Sequence, residues 1–141
     1  MSVKQVTLKE EITVEGPGSH TGINARLTLK PAPENHGYKF KRTDVSGQPV
    51  IDADVDNVVD TSRGTTLSAN GVKVSTTEHV LAALVGMEID NVLIEIDGPE
   101  VPILDGSAFP FVDAIQKAGL REQEATRSYF VITENLTYEE P

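Results

Sequence analysis

The run Ser75-Thr76-Thr77-Glu78-His79-Val80-Leu81-Ala82-Ala83-Leu84-Val85-Gly86 constrains this chain most, because its apolar residues recur at one period only. Val80, Leu81, Leu84 and Val85 repeat at helical spacing. Gly86 is suited to the left-handed C′ position that ends a helix. Ser75 is a good N-cap, and Glu78 three residues later completes a capping box. Ile89-Asp90-Asn91 makes a short turn. Val92-Leu93-Ile94-Glu95-Ile96 is rich in β-branched residues and predicts a buried strand. After the turn Asp97-Gly98-Pro99, Ser107 is expected to cap a second helix. Its first turn tolerates Pro110, Phe111, Val112 and Ile115 give it an apolar face, and Gly119 ends it.

Upstream, apolar residues alternate at Val6 and Leu8, then Ile12 and Val14, which predicts one long or bulged strand over 3–15. Glycines 16, 18 and 22 bracket a tight loop, and alternation resumes at Ala25, Leu27 and Leu29, so the two runs pair as an antiparallel hairpin. Pro31 and Pro33 end it. Tyr38-Lys39-Phe40-Lys41-Arg42 is a third strand, its basic residues read as the strand's outer face. Residues 44–49 and 60–64 are loops by composition, and 50–59 show no clear pattern. Asn70-Gly71 between Thr65-Thr66-Leu67 and Val72-Lys73-Val74 is a strong hairpin signal. Strand, helix and strand over 72–96 then read as a βαβ unit. Beyond Gly119 the charged stretch 121–127 reads as a linker, and 128–138 starts a fresh strand pattern.

A length of 141 residues suits one domain with a real core. Twelve basic against 22 acidic residues give a net charge of −10, which argues against the basic footprint of a nucleic-acid binder. No apolar run reaches the length of a membrane span. The absence of cysteine excludes disulfides and thiolate metal sites. With no apolar signal stretch near the N-terminus, a cytoplasmic protein is expected.

Two readings of Glu78-His79 stand side by side. In one, Glu78 caps a helix and His79 is a partly buried surface histidine. In the other, the positive end of a helix favours the uncharged imidazole that a metal needs, and the neighbouring carboxylate acts as a base. One histidine alone is not a catalytic zinc site, which takes three protein ligands. His20 lies on a glycine-rich loop whose amides could approach a ligand, or which simply needs glycine for its turn. His36 is a turn residue. Asp105 precedes a helix start, an ordinary place for an acid.

Taken in order, Gly18-Ser19-His20-Thr21-Gly22, Thr76-Thr77-Glu78-His79 with Ala82-Ala83-Leu84, Ile89-Asp90-Asn91, and Glu100-Val101-Pro102-Ile103-Leu104-Asp105-Gly106-Ser107-Ala108 resemble the UDP-3-O-acyl-N-acetylglucosamine deacetylase family. These are zinc-dependent hydrolases of the committed step of lipid A biosynthesis in Gram-negative bacteria. The resemblance implies two similar domains, each a sheet with two helices packed on it, and an active site between them. Joined with the residue patterns, it leads us to expect an α+β fold: a two-layer sandwich, mostly antiparallel, with one βαβ unit and two helices on one face. Residues 1–121 would be the first domain, and 122–141 a linker with the opening strand of a second. By the resemblance, His79 is a zinc ligand and Glu78 the general base on zinc-bound water. His20, Thr61, Ser62, Arg63 and Asp105 lie on the substrate side. The family's His-Lys-x-x-x-Asp motif, with the other zinc ligands, belongs to the missing second domain, so these 141 residues alone are expected to be inactive. The substrate implied is UDP-3-O-acyl-N-acetylglucosamine; the alternative is a non-catalytic ligand-binding or scaffold domain of the same fold.

Overall fold

Alternating burial sets the main sheet of the computed structural model, which describes residues 3–62 and 64–127. β2 (Ile12–Pro17) and β3 (Asn24–Pro31) form the expected hairpin, with Ile12 opposite Leu29 and Pro17 opposite Asn24. β3 pairs antiparallel with β9 (Val92–Ile96), which pairs parallel with β4 (Tyr38–Arg42), and β4 pairs antiparallel with β5 (Val50–Asp52). The order is β2-β3-β9-β4-β5. Leu27, Leu29, Phe40, Ile51, Ile94 and Ile96 point to one face and are fully buried there. The opposite face is polar: Thr13 and Thr28 share a 2.8 Å hydroxyl bond, and Lys30 meets Glu95 at 3.1 Å.

Two helices cover the apolar face, completing an α+β two-layer sandwich. α1 (Glu78–Gly86) buries Val80, Ala83 and Leu84; α2 (Phe109–Ala118) buries Phe111, Ala114, Ile115 and Ala118. Burying a side chain such as Phe111 or Ile115 contributes about 1.5–3 kcal/mol. Pro110 sits in the first turn of α2, and Gly119, at φ 80°, ends the helix.

Several local expectations are corrected. Ser75 does not cap α1; Thr77 holds the N-cap position without a side-chain cap bond. Ala108, not Ser107, is the N-cap residue of α2, although Ser107 Oγ accepts from Phe109 N at 3.2 Å. Gly86 remains helical, and the left-handed residue after α1 is Glu88, at φ 59°. Val85 is exposed, because Ala83 takes its place on the buried face. Arg42 is not on the outer face. It is buried, donates to both carboxylate oxygens of Asp44 at 2.8 Å and reaches the Lys73 carbonyl at 2.6 Å. The unreadable 50–59 stretch holds β5, a 3₁₀ turn at Val55–Asn57 and the start of β6 (Val58–Asp60).

The βαβ expectation is also corrected. β8 (Val72–Val74) pairs with β7 (Thr66–Ala69) and β7 with β6, a three-stranded antiparallel sheet separate from the one that holds β9. The helix between β8 and β9 therefore joins two sheets, and the parallel partner of β9 is β4.

The 3–15 run divides where Lys9-Glu10-Glu11 interrupts the alternation. β1 (Lys4–Leu8) leaves the main sheet and pairs antiparallel with β10 (Leu120–Thr126), so most of the expected linker 121–127 is a strand. A buried amide network docks this ribbon. Asn91 Nδ2 donates to Gln5 Oε1 and Gln123 Oε1, both at 2.8 Å, and Asn91 Oδ1 accepts from Gly37 N at 2.8 Å. Gln123 Nε2 donates to the Ala32 carbonyl at 2.9 Å. Asp90 accepts from Val6 N at 2.7 Å and from Arg127 Nε at 2.9 Å. The strand expected over 128–138 lies outside the described residues.

Candidate active site

The hairpin β7–β8 delivers the chain to α1. Asn70 and Gly71, at φ 55° and 82°, form its left-handed turn, as the Asn-Gly signal requires. Ser75 then bridges to the 99–101 segment: its N–H donates to Pro99 O at 2.8 Å, and Val101 N donates to Ser75 O at 3.0 Å. Thr76 follows at φ 61°, a strained backbone for a β-branched residue. Thr77 is fully buried and anchors the turn, donating from both N and Oγ1 to Thr65 O at 3.1 Å.

Glu78 emerges from this turn with one carboxylate oxygen held. Thr65 N donates to Oε1 at 2.9 Å. Gly64, at φ 110°, lies so near that a Cβ there would stand 2.9 Å from Oε2. His79 Nε2 lies 4.0 Å from Glu78 Oε2, and the two side chains are 29% and 37% exposed. A carboxylate and an imidazole thus share one helix start, both partly exposed. Asp105 stands nearby on an exposed turn. The Ser107 hydroxyl and amide, at 2.7 and 2.9 Å, hold its carboxyl below the usual range, and the charge of His79 adds to the effect.

The glycine loop is built around an internal carboxylate. Glu100 is only 1% exposed, yet its oxygens accept from Thr76 Oγ1 (2.7 Å), Thr21 N and Oγ1 (2.9 Å each), His20 N (3.2 Å) and Ser19 Oγ (3.4 Å). Burial pushes the Glu100 carboxyl pKa up. The bonds from Thr76, Thr21 and His20 outweigh it and bring it down to about 2. Gly18 is glycine because a Cβ would meet Glu100 Oε1 at 2.1 Å. The loop amides of His20 and Thr21 are therefore engaged within the protein.

His20, Thr21, Asp60, Gly64, Thr66, Ser75 and Glu100 line one cavity of about 150 Å³. His20 is thus brought to the same depression as the segment that holds Glu78. Thr61 and Ser62 are exposed on its rim segment, where Asp60 Oδ1 accepts from Ser62 N and Oγ at 2.9 and 2.8 Å. Arg63 lies outside the described residues. Sequence reasoning quoted Glu100 in a motif without assigning it a role. Its signal was a lone acid ahead of the apolar Val101-Pro102-Ile103-Leu104, across from a glycine-rich loop with no helix behind it. Among the described residues no three His, Cys, Asp or Glu side chains gather as a metal cage. His79, partly exposed beside a carboxylate, fits a single ligand position within a larger set.

The family model for UDP-3-O-acyl N-acetylglycosamine deacetylase (LpxC) matches residues 5–141. The chain belongs to this deacetylase family. It is 52% identical over 136 residues to a bifunctional enzyme LpxC/FabZ of Bacteroides thetaiotaomicron, covering 96% of this chain and 30% of that protein. It is 53% identical over 131 residues to the UDP-3-O-acyl-N-acetylglucosamine deacetylase of Myxococcus xanthus, covering 93% and 42%. The corresponding Methylococcus capsulatus deacetylase is 49% identical over 138 residues, covering 98% and 45%. This LpxC family chain thus spans less than half the length of each. No helix among its described residues is long and apolar enough to cross a membrane.

Proposed function

We propose that this chain supplies the first half of the active site of a zinc-dependent hydrolase. The reaction removes the N-acetyl group from UDP-3-O-acyl-N-acetylglucosamine in the cytoplasm, the committed step of lipid A biosynthesis. One observation carries the reading: in a member of the deacetylase family, Glu78 and His79 lie together at a helix start, partly exposed, with Glu78 Oε1 fixed by Thr65 N. His79 would hold zinc, with the remaining ligands drawn from a second domain. Zinc, when bound, supplies a Lewis acid that polarises the acetamide carbonyl and acidifies water. Glu78 Oε2 takes the proton of the attacking water while Oε1 stays on the Thr65 amide. A group of the second domain returns a proton to the departing amine, giving acetate and the 2-amino sugar nucleotide. His20, Thr61, Ser62, Arg63 and Asp105 border the substrate. The alternative, a binding or scaffold domain cradling a ligand on its glycine loop, loses its cradle, because those amides donate to Glu100.

The test is Glu78→Gln in the longer parent protein. Glutamine Oε1 still accepts from Thr65 N, so melting temperature and zinc content should hold. Deacetylation should fall by about 10²–10⁴, the worth of a positioned acid–base group. Near-normal turnover would place the base elsewhere. The 141-residue chain alone should release no acetate and bind zinc weakly, the heat of binding diminishing in His79→Ala; a tight 1:1 site would refute the divided ligand set.

A further inference from the structure

Glu100 touches both halves of the candidate site. Its carboxylate accepts from the loop that carries His20, through Ser19 Oγ and the His20 and Thr21 amides. It also accepts at 2.7 Å from Thr76 Oγ1, two residues before Glu78. The backbone repeats the link, since Ser75 bridges to the segment on either side of Glu100. A hydrophobic side chain would fill this buried position without needing partners. A carboxylate here instead gathers donors from segments distant in sequence, and the backbone makes room for it. Gly18 gives up a Cβ to let Glu100 in, and Thr76 adopts φ 61° while aiming its hydroxyl at Oε2.

We propose that Glu100 is a positioning residue that locks the His20 loop and the Thr76-Thr77-Glu78-His79 turn into one rigid unit. The substrate-side histidine and the acid–histidine pair then keep a fixed separation across the cavity. This rests on the proposed roles of Glu78, His79 and His20. Glu100 itself touches no reacting atom. Its hydrogen-bonding capacity is taken up by donors on both sides, so it acts only through the two segments it joins.

The experiment has two arms. In the 141-residue chain, Glu100→Gln and Thr76→Val are compared with the parent by amide and imidazole NMR. Thr76→Val keeps the β-branched shape and cuts only the link toward Glu78, so it serves if the glutamine variant folds poorly. Both variants should shift resonances at His20-Thr21 and at Thr77-Glu78-His79 together. In Thr76→Val, movement confined to the 76–79 turn, with the 20–21 loop unchanged, would overturn the coupling. In the longer parent protein, Glu100→Gln should retain zinc while kcat falls and KM rises, each about tenfold. His20→Ala should then cost less in the Glu100→Gln background than in the wild type. Additive effects, or lowered thermal stability with unchanged kcat and KM, would make Glu100 merely structural. If the wild-type parent shows no deacetylation, the proposed function fails, and the NMR arm still decides whether the two segments are coupled.

Discussion

Two glutamates of the candidate site stand in opposite surroundings. Glu78 accepts from Thr65 N at Oε1 and turns its second oxygen toward His79. Glu100 is saturated with donors, and its pKa of about 2 leaves it unfit to take a proton near neutrality. The same saturation makes Glu100 a stability switch in acid. Its folded pKa lies below the 4.5 of an unperturbed glutamate, so the contribution is complete above pH 4.5 and fades as pH falls toward 2. The full effect is on the order of 3 kcal/mol. Urea midpoints of wild type and Glu100→Gln should differ at pH 7 and converge toward pH 2; a gap independent of pH would mean that the charge is not what matters. Ser75 belongs to the same correction. Among the described residues its Oγ meets Thr66 Oγ1 at 3.2 Å and caps no helix, so Ser75→Ala should cost under about 1 kcal/mol rather than the price of a lost helix cap.

Loops and turns here are defined by what presses on them. Gly18→Ala would drive a Cβ onto the buried Glu100 carboxylate, and should destabilise by about 1–3 kcal/mol or more in thermal melts. Gly22→Ala meets no neighbour, and its cost should reflect only the backbone strain at φ 70°. Equal losses at both positions would argue against the close approach. Elements with a local cause were legible in the sequence. Asn70-Gly71 turned its hairpin, Leu27 and Leu29 alternated on β3, and Gly119 stopped α2. The features that escaped depend on distant partners. Ser75 has the chemistry of a cap, but its backbone is claimed by Pro99 and Val101, which delays the helix to Glu78. The stretch 121–127 looks like a linker because Arg121, Glu122 and Glu124 face water, while β1 supplies its pairing. Glu78 and His79 were visible as a motif; the Glu100 anchor needed the fold to bring 18–21, 76 and 100 together.

The assembly depends on how β1 and β10 are fastened to the main sandwich. Asn91 is the centre of that fastening, and Asn91→Ala would strand Gln123 Oε1 and Gly37 N around an emptied site, while Gln5 Oε1 keeps only its bond from Asn35 N. The expected loss is on the order of 3 kcal/mol or more, since each unmet buried group costs about 1–3 kcal/mol. Hydrogen exchange should quicken first in β1 and β10 while β3 and β9 stay protected; uniform acceleration would place the network in the core rather than at the joint. The ribbon also has a mechanical meaning. Arg127 N donates to Val3 O at 2.7 Å, and Lys4 faces Thr126, so the two ends of the described segment leave side by side. A tug on whatever adjoins them meets the antiparallel rungs one after another, as in a zipper. Force would be spent peeling β10 from β1 before it reached the turn that holds Glu78 and His79.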